Sequence, residues 1–394
     1  MSSRWAEPAS ERLRAFGTTI FSEMTRLAVQ HRAINLSQGF PDFEGPSLVI
    51  DHVVEALRSE HNQYARSMGH PELVAALSRL EEELYGLRFD PMTELVVTSG
   101  ATEAITSSIL GLVNPGDEVI LFEPYYDSYP AAVAMAGGIA RFCPLRFPEF
   151  ELDPSALADL MGPKTRAIVL NSPHNPSGKV FSRDELGVIA KLAVKHDLLV
   201  ISDEVYEHLT YDGVKHVPIA SLPGMRERTV TISSAGKTYS FTGWKIGWAF
   251  GAAPLVAAVQ AAHQFVTFAT CTPVQVGLAR AMNELGPSYF AELRSSYTQK
   301  RDFMCEVLER SGFEVSVPRG TYFVLAAFDR LDAGPDRAFA KKLIESVGVA
   351  TIPPSAFYTR CPEDGARLLR FAFCKTTATL EAASQRLAAL SSKR

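Results

Sequence analysis

Cysteine is sparse in this 394-residue chain, and it is not clustered. Cys143, Cys271, Cys305, Cys361 and Cys374 are odd in number, scattered and without CxxC spacing, a pattern that suits reduced structural thiols better than disulfides or zinc. No metal site is expected. Blocks of one charge are equally missing: 39 Lys and Arg are interspersed with 44 Asp and Glu, so nucleic acid is not an expected partner. Nor is there a long hydrophobic run. The most apolar stretch, Trp248 to Ala262, is broken by Gly251 and Pro254 and is too short to span a bilayer. Met1–Pro8 has no apolar core behind a basic end and does not read as a secretory signal. These absences, with no internal repeat, predict a cytoplasmic protein whose length can bury one large domain and a smaller one.

What the chain does have is alternation. β-Branched and apolar runs over 94–98, 117–122, 140–143, 165–170, 198–202 and 229–232 are separated by helical stretches, which predicts an α/β fold with a mostly parallel sheet flanked by helices. Helices are predicted over 47–58 and 71–85, the second with Leu73, Ala76, Leu77, Leu80 and Leu84 as its core face. The run Ile34–Pro46 is punctuated by glycine and proline and cannot be a helix; Gly39 and Phe40 in it could line a pocket. After Gly251 the pattern is helical through Arg310, and 320–325 and 369–373 read as strands of a smaller α+β unit. The expected division is 1–46, an arm and part of the small domain; 47–288, the large domain; and 289–394, the small carboxyl-terminal domain.

One lysine stands out. The strand at 229–232 runs into Ser233-Ser234-Ala235-Gly236 and then Lys237, small residues that allow the amine to be dry. Burial lowers an ammonium pKa, and a neutral amine can attack a carbonyl. Lys245, within Gly243-Trp244-Lys245-Ile246-Gly247, places a second cation nearby, with glycines that let backbone approach a ligand.

In such a sheet ligands sit beyond the carboxyl ends of the strands, so the residues after each strand belong together. Gly100, Ala101 and Thr102 open a helix whose free N–H groups can hold a phosphate. Tyr126 offers a ring face, and Asn175 an amide in a loop fixed by prolines. Asp203, at the end of a hydrophobic strand, needs a cationic partner to offset desolvation. Pyridoxal 5′-phosphate satisfies the set. Its aldehyde suits Lys237, its protonated ring nitrogen Asp203, its phenolic oxygen Asn175 and Tyr206, and its phosphate Gly100–Thr102, Ser234 and Lys245. Arg370, among apolar neighbours, calls for a carboxylate partner.

Leu36-Ser37-Gln38-Gly39-Phe40-Pro41-Asp42-Phe43, Gln63-Tyr64, Asn175-Pro176-Ser177-Gly178, Ser202-Asp203-Glu204-Val205-Tyr206-Glu207 and Ser234-Ala235-Gly236-Lys237-Thr238 together carry a resemblance. Over essentially its full length the chain resembles the fold-type I pyridoxal-phosphate aminotransferases of class I/II. Within them it is similar to the branch of kynurenine aminotransferase (glutamine transaminase K) and the bacterial methionine aminotransferases. The resemblance implies that Lys237 carries the cofactor, that Asp203 pairs with the ring nitrogen, and that Asn175 and Arg370 hold the substrate carboxylate. It further implies a homodimer in which Tyr64 touches the other subunit's phosphate and Phe268 reaches the neighbouring substrate pocket. Thr102 and Ala269 stand where kynurenine- and glutamine-handling members often carry Tyr and His.

The function expected is ping-pong transfer of an amino group from a neutral L-amino acid to a 2-oxo acid, with Lys237 as base and acid and Asp203 and Tyr206 in the catalytic set. Ile20, Phe40, Tyr126 and Phe268 are expected as apolar walls of the substrate pocket. The alternatives are a cysteine-conjugate C–S β-lyase using the same lysine, an N-succinyldiaminopimelate aminotransferase, and a non-catalytic cofactor-binding regulator, which would need a DNA-binding module.

Overall fold

The computed structural model describes residues 9–393, so Met1–Pro8, read above for a leader, lies outside the described residues. In chain order the strands are β1 (Ile34–Asn35), β2 (Leu95–Ser99), β3 (Glu118–Glu123), β4 (Ile139–Pro144), β5 (Thr165–Asn171), β6 (Leu199–Asp203), β7 (Thr229–Ser234), β8 (Ile246–Phe250), β9 (Glu314–Ser316), β10 (Phe323–Ala327), β11 (Val349–Ala350) and β12 (Leu368–Ala372).

A seven-stranded sheet in the order β2-β8-β7-β6-β5-β3-β4 forms the centre. Its strands are apolar on both faces because helices cover both, the burial that parallel sheets require. One cluster packs Val96, Leu121, Val169 and Ile232 against helices Gly100–Leu112 and Ala253–Val266. The opposite cluster packs Ile120, Ile168, Leu170 and Val200 against helix Arg183–Lys195. That helix starts cleanly because Ser182 and Glu185 form a reciprocal capping box.

The six expected strands are present, and β8 is an addition. It is antiparallel to both β2 and β7. Gly247 sits in it because a Cβ there would lie 2.5 Å from the Gly100 carbonyl carbon and 2.6 Å from the Ala101 nitrogen. Since β8 runs backwards, its start, not its end, arrives at the edge where β2, β5, β6 and β7 finish. Pairing of Ser99 with Ile246 therefore brings Lys245 next to the Gly100 turn.

Helices Ser47–Arg58 and Pro71–Tyr85 fall where expected. Leu84 does not join the core, however. The burial through Leu73, Val74, Ala76, Leu77 and Glu81 does not extend to the last turn, where Leu84 is 42% exposed. The stretch after Gly251 forms three helices, Ala253–Val266, Thr272–Glu284 and Pro287–Arg310.

A second sheet, β12-β10-β9, is antiparallel. β10 begins at Phe323 rather than Gly320, because Thr321 has φ +64, outside the strand region. One hydrophobic cluster joins Ile20, Met24, Ala28 and Leu36 to Tyr297, Phe339, Phe371 and Leu387, and β1 pairs in parallel with β11. The ends of the sequence thus share a core.

Candidate active site

A cavity of about 410 Å³ opens at the carboxyl edge of the large sheet. It is lined from β2 by Gly100, Ala101 and Thr102, from β3 by Tyr126 and Asp127, from β5 by Asn171 and Asn175, and from β6 by Asp203 and Tyr206. Ser234 and Lys237 after β7, Lys245 before β8, and Arg370 on β12 complete it, with Gly39 and Phe40 along one side.

Lys237 lies in the single turn Ala235–Thr238 that terminates β7. Its Nζ donates to Tyr322 Oη at 2.8 Å and to the Gly39 carbonyl at 3.3 Å, and the Tyr322 hydroxyl donates to the same carbonyl at 2.6 Å. Burial drives the ammonium down to about 8, with Lys245 and Arg370 pushing the same way. A substantial fraction of the amine can therefore be neutral, as nucleophilic or basic use requires.

Asp203 is the last residue of β6 and is 4% exposed. Its Oδ2 accepts from Tyr129 Oη at 2.7 Å, and Oδ1 from the Val205 N–H at 3.3 Å. Burial raises its carboxyl to about 6, while Tyr129, the Val205 N–H and Lys237 pull the other way. No cation of the described residues forms an ion pair with it. The sheet thus buries a carboxylate that feels Lys237 through space but has no cation in contact with it. Tyr206, 3% exposed, stands edge-on to Tyr322 with ring centroids 5.1 Å apart, and burial holds its phenol above the ordinary range.

The opposite end of the cavity is built for an anion. Gly100 has φ +73, and a Cβ on it would sit 3.0 Å from Lys245 Nζ. The N-terminus of helix Gly100–Leu112 therefore presents its unpaired N–H groups beside Lys245 and Ser234.

Arg370 is 1% exposed. Nη1 donates to Asn175 Oδ1 at 3.0 Å and Nη2 to the Ser37 carbonyl at 2.9 Å, while the buried Nε has no partner. The guanidinium lies 4.0 Å from the Phe323 ring centre, and burial lowers it to about 10. Among the described residues no carboxylate forms an ion pair with it. A desolvated guanidinium without a protein carboxylate fits a carboxylate that comes with a ligand.

The structure brings Lys237, Asp203, Tyr206, Gly100, Ala101, Thr102, Tyr126, Asn175, Ser234, Lys245, Gly39, Phe40 and Arg370 into this one cavity. It does not bring Ile20. Helix Ile20–His31 begins there under a Thr19 cap, and Ile20 turns inward with Met24 and Ala28, leaving the next residue, Phe21, to form the wall. Successive helical residues point about 100° apart, so a one-residue shift exchanges core for pocket. Tyr64 and Phe268 are also outside the lining of this chain's cavity. They pack edge to face on the surface, centroids 5.2 Å apart, 84% and 46% exposed. Ala269 does not line the cavity either.

Sequence reasoning missed Tyr129 and Tyr322. Tyr129 is in helix Ser128–Met135, one turn beyond the ring-stacking candidate Tyr126, and that spacing was its only signal. Tyr322 read as an interior strand residue; the positive φ of Thr321 before it gives no warning in sequence.

A lysine lowered to about 8 and a buried guanidinium without a protein carboxylate, in one cavity at the carboxyl edge of an α/β sheet, fit an enzyme whose ligand brings a carboxylate of its own. Residues 31–387 match the aminotransferase class I and II family, and the chain belongs to that family and is an aminotransferase. It is similar to a probable N-succinyldiaminopimelate aminotransferase of Mycobacterium tuberculosis, at 44% identity over 97% of this chain and 98% of the relative. The solved structure of the N-succinyldiaminopimelate aminotransferase from that organism superimposes with a TM-score of 0.94, covering 97% of this chain and 100% of that one. A methionine aminotransferase of Escherichia coli is 41% identical over 95% of this chain and 97% of its own. Mouse kynurenine–oxoglutarate transaminase 3 is 41% identical over 95% of this chain and 89% of its own.

Proposed function

We propose that the enzyme uses pyridoxal 5′-phosphate to move the amino group of a neutral L-amino acid, methionine-like in size, to a 2-oxo acid by a ping-pong mechanism. The observation that carries this reading is the buried Asp203, hydrogen-bonded by Tyr129 and without a cation in contact, in the same cavity as a lysine lowered to about 8. A pyridinium and an aldehyde on one ring answer both, and the Gly100–Thr102 turn with Ser234 and Lys245 suits the phosphate.

When bound, such a cofactor supplies an electron sink that weakens the substrate Cα–H bond. The chain's own residues do the rest. Arg370 and Asn175 fix the substrate carboxylate and with it the direction of the Cα–H bond. Lys237 Nζ takes the proton from Cα and holds it for return, the general base and acid of the reaction. Asp203 would balance positive charge on the cofactor ring, and Tyr206 and Asn175 would bond its phenolic oxygen. Tyr126 gives a face for stacking, and Phe21 and Phe40 offer apolar walls along the substrate end.

The surface pair Tyr64 and Phe268, with Phe265, three residues before Phe268, 86% exposed, supports a homodimer in which Tyr64 and Phe268 complete the neighbouring site. The division into 1–46, 47–288 and 289–394 is carried forward as part of this proposal, as is a cytoplasmic location; among the described residues no helix is long and apolar enough to cross a membrane. A second reading, an N-succinyldiaminopimelate aminotransferase, is favoured by the 44% identity to the mycobacterial relative. The deciding experiment assays the purified enzyme with methionine, glutamine, phenylalanine, aspartate and N-succinyldiaminopimelate against several 2-oxo acids. The same panel includes a cysteine conjugate, with pyruvate release reporting β-elimination. Methionine leading in kcat/KM supports the first reading; N-succinyldiaminopimelate leading replaces it with the second.

A further inference from the structure

The cavity holds five charged side chains, and the proposed reaction employs four of them. Lys237, Lys245, Asp203 and Arg370 have tasks, whereas Asp127 also lines the cavity and has none. It stands at the N-cap of helix Ser128–Met135 without a side-chain capping bond. Among the described residues no cation forms an ion pair with it; burial raises its carboxyl above the ordinary range, while the field of Arg370 and the nearby N–H groups of Asp127 and Ser128 pull the other way. It follows directly on Tyr126, the ring-face residue, so it stands beside whatever is stacked there.

Resting on the function proposed above, we infer that Asp127 is a specificity-determining residue that sets the charge of the substrate side-chain subsite. It excludes donors with a second carboxylate and admits neutral or hydrogen-bond-donating side chains. Before substrate arrives, the field of Arg370 partly balances Asp127. Once an α-carboxylate occupies Arg370 that balance is spent, and Asp127 is left as an unpaired negative charge facing the remaining volume. A second carboxylate would meet a like charge a few ångströms away, and near a protein surface one unit-charge repulsion changes affinity by roughly tenfold to a hundredfold. A thioether, an amide N–H₂ or an aromatic edge meets no such repulsion. Asp127 thus distinguishes substrates by what it repels, the negative half of specificity.

The test compares the wild-type holoenzyme with Asp127→Asn, which keeps size and capping ability, and with Asp127→Ser as a second variant of different shape. Two ratios are measured: kcat/KM for aspartate over methionine, and the dissociation constant of glutarate relative to pentanoate. The second is read from the thermal shift of the protein and requires no turnover. A rise of at least fivefold in aspartate over methionine, with glutarate tightened by at least fivefold relative to pentanoate in either folded variant, supports the assignment. If both ratios change by less than fivefold in the variants that fold, Asp127 is not the filter. A wild-type enzyme that transaminates no donor would instead overturn the underlying function, an outcome separate from either.

Discussion

Tyr129 Oη donates a 2.7 Å hydrogen bond to Asp203 Oδ2, and among the described residues it is the one side-chain hydrogen-bond donor that holds the buried carboxylate toward its ionised form. Burial works against it, leaving Asp203 near 6. Tyr129→Phe should therefore raise that value further. A hydrogen bond to a charged group is worth roughly 1.5–3 kcal/mol, or about one to two pH units. In the cofactor-free protein the titration of the Asp203 carboxyl, followed by NMR, should move upward by that amount. An unmoved titration would remove Tyr129 from the control of Asp203.

Lys237 offers a check in the cofactor-free protein. Its folded value of about 8 lies below the ordinary 10.5, so between those pH values the unfolded chain holds a proton that the folded chain has released. Stability contributed by this group is then lost below about 8 and recovered as pH rises toward 10.5, by up to about 3 kcal/mol. Urea unfolding of wild type and Lys237→Ala across this range should show the wild type gaining on the variant as pH rises; parallel curves would mean the amine is not perturbed. The purified wild-type protein should be yellow, and the variant should bind pyridoxal phosphate without a covalent link and fail to transaminate. Wild-type turnover in the variant would end the assignment.

Asp203→Asn exchanges a carboxylate that can balance a ring cation for an amide that cannot. The expected result is a proton-transfer step slowed by orders of magnitude with near-normal cofactor spectra, read by single-turnover absorbance. Unchanged single-turnover rates would exclude Asp203 from the chemistry.

Arg370→Ala should lower kcat/KM by about 30-fold to several thousand-fold, since removing one partner of a buried charge pair costs ~2–5 kcal/mol. Amines lacking a carboxylate should be indifferent to the change. A loss below about threefold for amino acids would sit poorly with a carboxylate clamp.

Methionine should be a much better donor than aspartate, with leucine and phenylalanine between. The cavity walls include Phe21, Phe40 and Tyr126, and no arginine besides Arg370 lines it. Arg66 is committed elsewhere, donating to the Gly69 and Pro91 carbonyls, each at 3.3 Å. An acidic side chain would be buried without a partner, at a cost of several kcal/mol. Equal kcat/KM for the two donors with one shared oxo acid would defeat this reading of the pocket.

Most of the large sheet was legible because buried parallel strands are short apolar runs followed by a turn, and polar residues directly after such runs point to one edge. β8 was not legible. Ile246-Gly247-Trp248-Ala249-Phe250 carries the glycine that the close approach to Gly100 demands, and glycine inside a short apolar run weakens the strand signal. The residues that gather in the cavity from the strand ends were legible because each strand end carries its own signal. The wall was harder: Ile20 and Phe21 are equally apolar neighbours, and only the phase of a helix chooses between them. Tyr64 and Phe268 raise a different difficulty, since their proposed partners lie in a second copy of the chain.

The pairing of β2 with β8 has a consequence for the order in which the protein assembles. Ser99 and Ile246 are far apart in sequence, yet their pairing is what sets Lys245 against the Gly100 turn. A contact between such distant segments pays its loop-closure entropy before it returns any stability, so it forms after the local helices and neighbouring strands. The anion cup is therefore a late product of folding. Fragments ending before residue 246 should not hold the phosphate group, however well their own helices form, and in a refolding chain the ability to bind cofactor should lag behind recovery of helical content.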